Sequence, residues 1–248
     1  MSASARIKEI ISNITNSGRF ILTEDESKTI LREMSIPFPE YEVVSSAEEA
    51  AEAAERVGYP VVMKIVSPDI IHKSDYGGVM LNLNNKREVI EGYNKILSNI
   101  SKKAPGAKIR GVMIYKMASK GIVELLIGVS FDEQFGHTIT VGLGGVFVEL
   151  LKDISIRLIP ISNLEAEEML KELKAYSILT GFRGSAKADI DSIKQTLIKV
   201  SDLIIENPEI LELDLNPVIV YEQGLTVIDA RIILDREKSA SFNIKKNV

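Results

Sequence analysis

A loop between two apolar runs carries the residues of this chain with the clearest chemical potential. Lys64 lies within the β-branched run 60–66, and His72 and Lys73 follow in the loop before the pair Gly77–Gly78. A lysine on a rigid strand can neutralise a phosphate, and glycines let the backbone approach an anion closely. A histidine can carry a proton or a phosphoryl group. The pattern predicts a phosphate-binding hairpin; the competing interpretation is an ordinary hairpin with solvated charges.

Polar side chains alternate along a second hairpin near the C-terminus. Glu212, Asp214 and Asn216 recur at every second position, so one face of a strand would carry all three. Asp229 and Arg231 share a face of the next strand in the same way. Oxygen donors beside a cation suit Mg²⁺ with bound phosphates. The alternative is a salt-bridged strand pair. The Mg²⁺ interpretation is favoured because acidic residues and Asn are rare inside strands.

Other polar segments have roles that the pattern leaves open. GLGGVFVE (142–149) is dense in glycine but matches neither GxGxxG before a helix nor a Walker loop, so a tight turn and a phosphate contact are both compatible with it. Glu124 could meet a ribose hydroxyl or be an exposed strand residue. His137 is interpreted as structural, and Arg183 as structural or a partner contact. The chain has no GxSxG motif and no plausible Ser/His/Asp set, which argues against hydrolase chemistry.

Periodicity and capping signals predict the elements that must position these residues. The sequence predicts two capping boxes, one formed by Thr23 and Glu26 and one by Ser46 and Glu49, and a helix should begin at each. Strands and helices alternate in both halves and the chain ends in a hairpin, so we expect an α+β protein of two lobes, 1–118 and 119–248. Helices are expected before residue 18, before residue 37, before residue 58 and at 86–101, 164–179 and 191–207. Strands are expected at 41–44, 60–66, 79–83, 111–117, 122–131, 137–141, 156–161 and in the terminal hairpin.

The composition argues against several classes of protein. The 248 residues carry a net charge of −5, so nucleic-acid binding has no electrostatic support. No apolar run reaches the length of a membrane span, and the N-terminal segment reads as an amphipathic helix rather than a signal peptide. With no cysteine and two histidines, any metal should be a hard cation on oxygen ligands, such as Mg²⁺. The cytoplasm is the expected location.

Several ordered motifs resemble the ATP-grasp family. They are GYPVVMKIVSPDIIHKSDYGGV, ELLIGVSFDEQFG, GLGGVFVELL, LTGFRG, LDLNPVIV and GLTVIDARI. They look specifically like the β subunits of NDP-forming acyl-CoA synthetases, the ADP-forming acetyl-CoA synthetases best known from archaea. The resemblance runs from about residue 19 to residue 234 and rests most on the HKSD loop and the DLNP and DAR segments.

This resemblance implies an ATP-grasp fold in which two α+β lobes hold ATP or ADP with Mg²⁺ between them. It implies the reaction acyl-CoA + ADP + phosphate ⇌ carboxylate + ATP + CoA. It also implies a separate CoA-binding α subunit with a phosphorylated histidine, in an α₂β₂ assembly. A succinate- or malate-specific ligase and a non-catalytic nucleotide-sensing module are the alternatives. The presence of all the motif residues together argues against the module.

Roles are carried over by matching positions. The resemblance implies that His72 accepts the phosphoryl group, that Asp214 orients it, and that Asn216 and Asp229 bind Mg²⁺. The nucleotide contacts that it implies are Lys64, Lys73, Ser74, Asp75, Gly77, Gly78, Tyr115, Lys116, Met117, Glu124 and Arg231. Among these, 115–117 matches the connector beside adenine and Glu124 the residue near the sugar. His137 departs from the pattern, where a proline usually follows Phe-Gly.

Overall fold

The computed structural model describes residues 2–145 and 153–236, which divide into two compact units. Pro39–Ser119 forms one unit, here called the inserted unit. The other, here called the split unit, combines Met1–Phe38 with the chain from Lys120 onward. This division differs from the expected lobes 1–118 and 119–248, because the first 38 residues belong with the C-terminal part.

Packing of the N-terminal segment explains this difference. Helix α1 (Ala3–Asn16) buries three isoleucines in the same core cluster as the strands near the C-terminus. The segment that follows α1 is hydrogen-bonded to the last strand, where Leu22 N–H donates to Ile232 O at 3.0 Å and Leu234 N–H donates to Phe20 O at 2.7 Å. Helical spacing in the sequence reveals an apolar face but not the sheet that covers it.

The inserted unit is an antiparallel sheet with two helices on one face. Its strand order is β1-β4-β2-β3, with α3 and α4 packed on the face that carries Val61, Met63 and Ile65. Small alanines on α3 let that helix approach the sheet closely. The elements are β1 (Tyr41–Val44), α3 (Ala47–Val57), β2 (Val61–Val66), β3 (Val79–Leu83), α4 (Lys86–Lys103) and β4 (Gly111–Lys116).

The split unit is built on a second antiparallel sheet. In the described residues its order is β10-β8-β5-β6-β7, with β9 also paired to β8. One face is apolar and buried against helices; alternate residues face the other way. Its further elements are α2 (Glu24–Glu33), β5 (Val123–Asp132), β6 (Gly136–Leu143), β7 (Ile154–Leu158), α5 (Asn163–Glu172), α6 (Tyr176–Leu179), a 3₁₀ turn (Phe182–Gly184), α7 (Ile190–Glu206), β8 (Ile210–Val220), β9 (Leu225–Val227) and β10 (Ala230–Leu234).

One predicted strand is shifted and one predicted helix is interrupted. The strand expected at 156–161 is β7, two residues earlier, and the helix expected at 164–179 is interrupted after Glu172. The buried carboxylate of Asp153 accepts hydrogen bonds from the N–H groups of Lys174 and Ala175 at 2.8 and 2.9 Å, which fixes this break. A carboxylate ten residues before the helix leaves no periodic signal in the sequence.

The capping signals agree with the structure in one case and differ in the other. Thr23 and Glu26 form both bonds of the predicted box. Ser46 caps α3 through its hydroxyl, but the Glu49 carboxylate accepts from the N–H of Ser45 at 2.7 Å rather than from that of Ser46. Among the described residues, no helix has the length and apolar character required to cross a membrane.

Candidate functional site

Lys64 is held rigidly on the inserted unit. It lies on β2, opposite Val79 of β3 on one side and Met113 of β4 on the other. Its side chain lies on the sheet face opposite α3 and α4, where it is 5% exposed, and Nζ is 5.5 Å from the centroid of the Tyr115 ring. A cation over an aromatic face is stabilised by the ring quadrupole. The ammonium is therefore pre-positioned and poorly hydrated.

The loop between β2 and β3 is a compact turn that presents its polar side chains outward. Gly78 N–H donates to Lys73 O at 2.8 Å, Gly77 N–H donates to Ser74 O at 2.9 Å, and the N–H of residue 75 donates to His72 O at 3.2 Å. The side chains of His72, Ser74 and Asp75 are exposed. The imidazole is consequently accessible from solution.

The two loop glycines are explained by packing within the protein. Gly77 has φ +66°, and a Cβ there would lie 2.6 Å from Asn99 Nδ2. A Cβ at Gly78 would lie 2.6 Å from Ile65 Cγ2 and 3.1 Å from Lys73 O. A larger residue at either position would displace the loop. These glycines therefore close the turn, and their predicted contact with a phosphate stays a prediction.

Part of the predicted adenine connector, residues 115–117, belongs to the sheet of the inserted unit. Tyr115 and Lys116 belong to β4, opposite Val62 and Val61 of β2. Met117 N–H donates to Pro60 O at 2.9 Å, so this N–H does not face a ligand. Tyr115 is buried and the Lys116 side chain is exposed. Adenine recognition by 115–117 therefore stays a prediction that would have to use other backbone groups.

The terminal hairpin of the split unit brings its polar residues together, although Asp229 lies between β9 and β10 rather than on the predicted strand with Arg231. Arg231 on β10 pairs with Asp214 on β8, and Arg231 Nη2 lies 3.8 Å from Asp214 Oδ2. Asn216 N–H donates to Asp229 O at 3.2 Å, which places these two residues side by side. Leu213 and its apolar neighbours are buried on the opposite face.

Asp214 is a partly exposed carboxyl whose pKa is raised. Desolvation raises the pKa of this carboxyl, the Arg231 guanidinium opposes the rise, and the charges of Asp229 and Glu212 add to it. The net pKa lies above the ordinary aspartate value. The protein therefore stabilises the anionic form of Asp214 less than the ion pair with Arg231 alone would.

The hairpin offers the donor set of a nucleotide-bound Mg²⁺ rather than of a protein-caged metal. No group of three or more Asp, Glu, His or Cys within the described residues could hold a metal ion. Asn216 and Asp229 supply two side chains with oxygen donors, and Mg²⁺ typically takes one or two protein carboxylates and completes its shell with waters and phosphates. Asn216 and Asp229 therefore fit Mg²⁺ whose coordination is completed by waters and phosphates.

Glu124 and the glycine segment contact each other. Gly144 N–H donates to Glu124 O at 2.6 Å, and a Cβ at Gly144 would lie 2.9 Å from that oxygen. A Cβ at Gly142 would lie 2.9 Å from Asp153 O. These close backbone contacts favour the tight-turn interpretation of residues 142–145. Residues 146–149 of this motif lie outside the described residues. Glu124 is exposed, on the same sheet face as Asp214.

Among the remaining candidates, His137 is structural, as predicted. Its Nε2 lies 2.8 Å from Ile210 O and its ring meets the Phe131 ring edge-on at 4.9 Å between centroids. Arg183 stacks beside the neighbouring Phe182 ring at 5.2 Å. The sequence pattern did not point to Asn99 or Lys103, which contact the His72 loop; polar residues near a helix end carry no local signal for such a contact.

The candidate residues thus form two sets. Lys64, the His72 loop and Tyr115 lie in the inserted unit, and Glu124 lies with the polar hairpin in the split unit. Residues 13–234 match the model of a family described as the ATP-grasp domain. The chain belongs to the ATP-grasp family, and the predicted α+β ATP-grasp fold is confirmed.

Within this family, the chain is similar to the β subunits of ADP-forming acetate–CoA ligases. It is 45% identical to subunit beta of acetate–CoA ligase [ADP-forming] I of Pyrococcus furiosus, over 94% of this chain and 100% of that one. It is also 45% identical to acetate–CoA ligase [ADP-forming] I of Archaeoglobus fulgidus, but spans 33% of that longer protein. The predicted relationship to these β subunits is confirmed.

A solved structure supports the same relationship. Acetyl-coenzyme A synthetase 1 of Ca. Korarchaeum cryptofilum, in complex with coenzyme A and Ca-AMPCP, matches with a TM-score of 0.87 and 46% identity, over 92% of this chain and 99% of that chain. Another structure of that protein contains Mg-AMPPCP and has its phosphohistidine segment pointing towards the nucleotide binding site; it is 44% identical, with a TM-score of 0.79, over 92% and 99% of the two chains.

Proposed function

We propose that this chain is the nucleotide-binding β subunit of an ADP-forming acetyl- or acyl-CoA synthetase. In the direction of ATP synthesis, it transfers a phosphoryl group through His72 to ADP. The observation that carries the proposal is the exposed His72 on a closed loop that follows the strand of the buried Lys64. The similarity to Pyrococcus β subunits over 94% of the chain supports it.

Lys64 and the loop supply the phosphate-binding part of this function. Phosphoryl transfer depends on neutralising and orienting oxygens more than on acid–base chemistry. A buried ammonium on a central strand provides a fixed charge at little reorganisation cost. Lys73 and Ser74 add donors at the loop.

His72 provides the nucleophile and the leaving group. An imidazole nitrogen accepts the phosphoryl group from a phosphorylated donor, forming a P–N bond as the donor bond breaks. An oxygen of the ADP β-phosphate then attacks phosphorus, the P–O bond of ATP forms, and the P–N bond breaks to return the neutral imidazole. Asp214 is proposed as the carboxylate that orients this ring and fixes its tautomer.

The polar hairpin supplies further groups that would neutralise the phosphate charge. Asn216 and Asp229 would hold Mg²⁺, which neutralises phosphate oxygens when bound. Arg231 adds a guanidinium suited to phosphate, and Glu124 is proposed to bind the sugar. The donor of the phosphoryl group is a separate CoA-binding α subunit in an α₂β₂ assembly, and we propose a cytoplasmic location.

Labelling with ATP tests the phosphoryl relay directly. The chain contains two histidines, so a phosphohistidine can form only at His72 or His137. Incubation with γ-labelled ATP and Mg²⁺, followed by alkaline denaturation and peptide mapping, should place an acid-labile label on His72. His72→Ala should lose the label yet bind Mg·ADP, while the control His137→Gln should keep the label. Near-normal turnover of His72→Ala with the α subunit would refute the relay.

A further inference from the structure

The end of helix α4 holds the loop that carries His72. The Asn99 side-chain amide donates to Gly77 O at 3.0 Å, and the Lys103 ammonium donates to Asp75 O at 2.8 Å. Asn99 and Lys103 are one helical turn apart and therefore project from the same face of α4. Two carbonyls of the loop are thus bound by one face of a helix that is itself packed into the core.

The two contacts differ in strength. The bond from Asn99 is half-buried, and Gly77 approaches so closely that a Cβ there would lie 3.2 Å from Asn99 Cγ. The bond from Lys103 is exposed. Water competes with an exposed bond, whereas loss of a half-buried donor leaves a desolvated carbonyl. Asn99 is therefore the principal anchor of this segment.

We propose that Asn99 is a positioning residue for phosphoryl transfer, acting through Gly77 to fix the turn that presents His72. This inference rests on the proposed function of His72. Short-range backbone bonds close the turn between residues 72 and 78, and its tip is exposed. Misplacing a reacting group by about 1 Å can cost about 100-fold in rate. Holding Gly77 thus affects chemistry at a residue that Asn99 does not touch.

Asn99→Asp is the sharpest variant, because it keeps the shape of the side chain and replaces the donor by an oxygen facing Gly77 O. Asn94→Asp is its matched control: the residue is exposed on the same helix and the charge change is identical. Asn99→Ala removes the donor without adding charge and serves if the aspartate variant does not fold.

Three measurements separate positioning from general damage. We expect Asn99→Asp to slow phosphorylation of His72 by about tenfold or more, to change the Kd for Mg·ADP less than about twofold, and to speed amide exchange in the 72–78 peptide. Exchange in α3 and β1 should not change, and Asn94→Asp should match wild type throughout.

Several outcomes would overturn this role. Labelling at the wild-type rate in both Asn99 variants, an equal loss in Asn94→Asp, or unchanged exchange at 72–78 would each do so. If the wild-type chain itself takes no label, the proposed function of His72 fails instead. The exchange measurement still decides in that case whether Asn99 anchors the loop.

Discussion

Arg231 faces Asp214 across the β8–β10 pair, with Nη2 3.8 Å from Oδ2, and yet the pKa of Asp214 is raised. Desolvation outweighs the guanidinium, and the charges of Asp229 and Glu212 reinforce it. An isolated surface pair would behave in the opposite way. The hairpin therefore keeps a carboxylate in an environment that disfavours its charge, a feature found more often at functional sites than elsewhere.

Asp214→Asn should raise stability at pH 7 and reduce phosphorylation of His72. A raised pKa means that ionised Asp214 destabilises the folded state at pH 7. This destabilisation is fully present above the folded pKa and disappears as pH falls below the ordinary value. We expect a higher Tm than wild type at pH 7, with the gap closing in acid, together with a loss of His72 labelling. A lower Tm at pH 7 would show that the Arg231 pair dominates. Asp202→Asn, at an exposed position on α7, is the control.

Lys64→Met should weaken nucleotide binding in a chain that still folds. Removing a charge-assisted bond to phosphate is worth about 1.5–3 kcal/mol, or about 10- to 150-fold in Kd. Methionine fills the buried site with a side chain of similar length, so the variant should still fold. Calorimetry with Mg·ADP measures the affinity, and thermal unfolding tests the fold. Lys95→Met, an exposed lysine on α4, is the control, and equal affinity of the two variants would remove Lys64 from the site.

Asn216→Ala combined with Asp229→Ala should abolish the Mg²⁺-dependent part of ADP binding. With excess chelator, wild type and double variant should bind ADP with similar weak affinity, because the lost groups act through the metal. With Mg²⁺, wild type alone should gain affinity. A variant that retains the full Mg²⁺ response would exclude these two residues as ligands.

Glu172→Gln should lower stability in a pH-dependent way. Hydrogen bonds from Arg157 and Ser155 to the Glu172 carboxylate lower its pKa from 4.5 to about 2. Their stabilising effect is complete above the ordinary pKa and is lost as pH falls towards about 2. The Tm of the variant should lie below wild type at pH 7 and approach it in that acidic range. Glu168→Gln, exposed on the same helix, should show no such convergence.

Local patterns predicted the parts of the site that depend on local geometry. Alternation along β8 placed Asp214 and Asn216 opposite the buried Leu213 and Leu215, as observed, since successive side chains of a strand must point to opposite faces. Contacts between distant segments were not predictable. The close approach of Asn99, 22 positions later, leaves little room for a Cβ at Gly77. Asp153 interrupts a helix by accepting a hydrogen bond from the N–H of Lys174. No periodicity encodes such pairs, and the placement of residues 1–38 was missed for the same reason.

The split course of the chain sets an order for folding during synthesis. Every residue of the inserted unit has been made once Ser119 has left the ribosome, so its sheet can close early. Helix α1 is made before the inserted unit, but the strands that share its core cluster, including those of Ile232 and Leu234, are made after that unit. The apolar face of α1 therefore lacks its native partners while the whole inserted unit is synthesised.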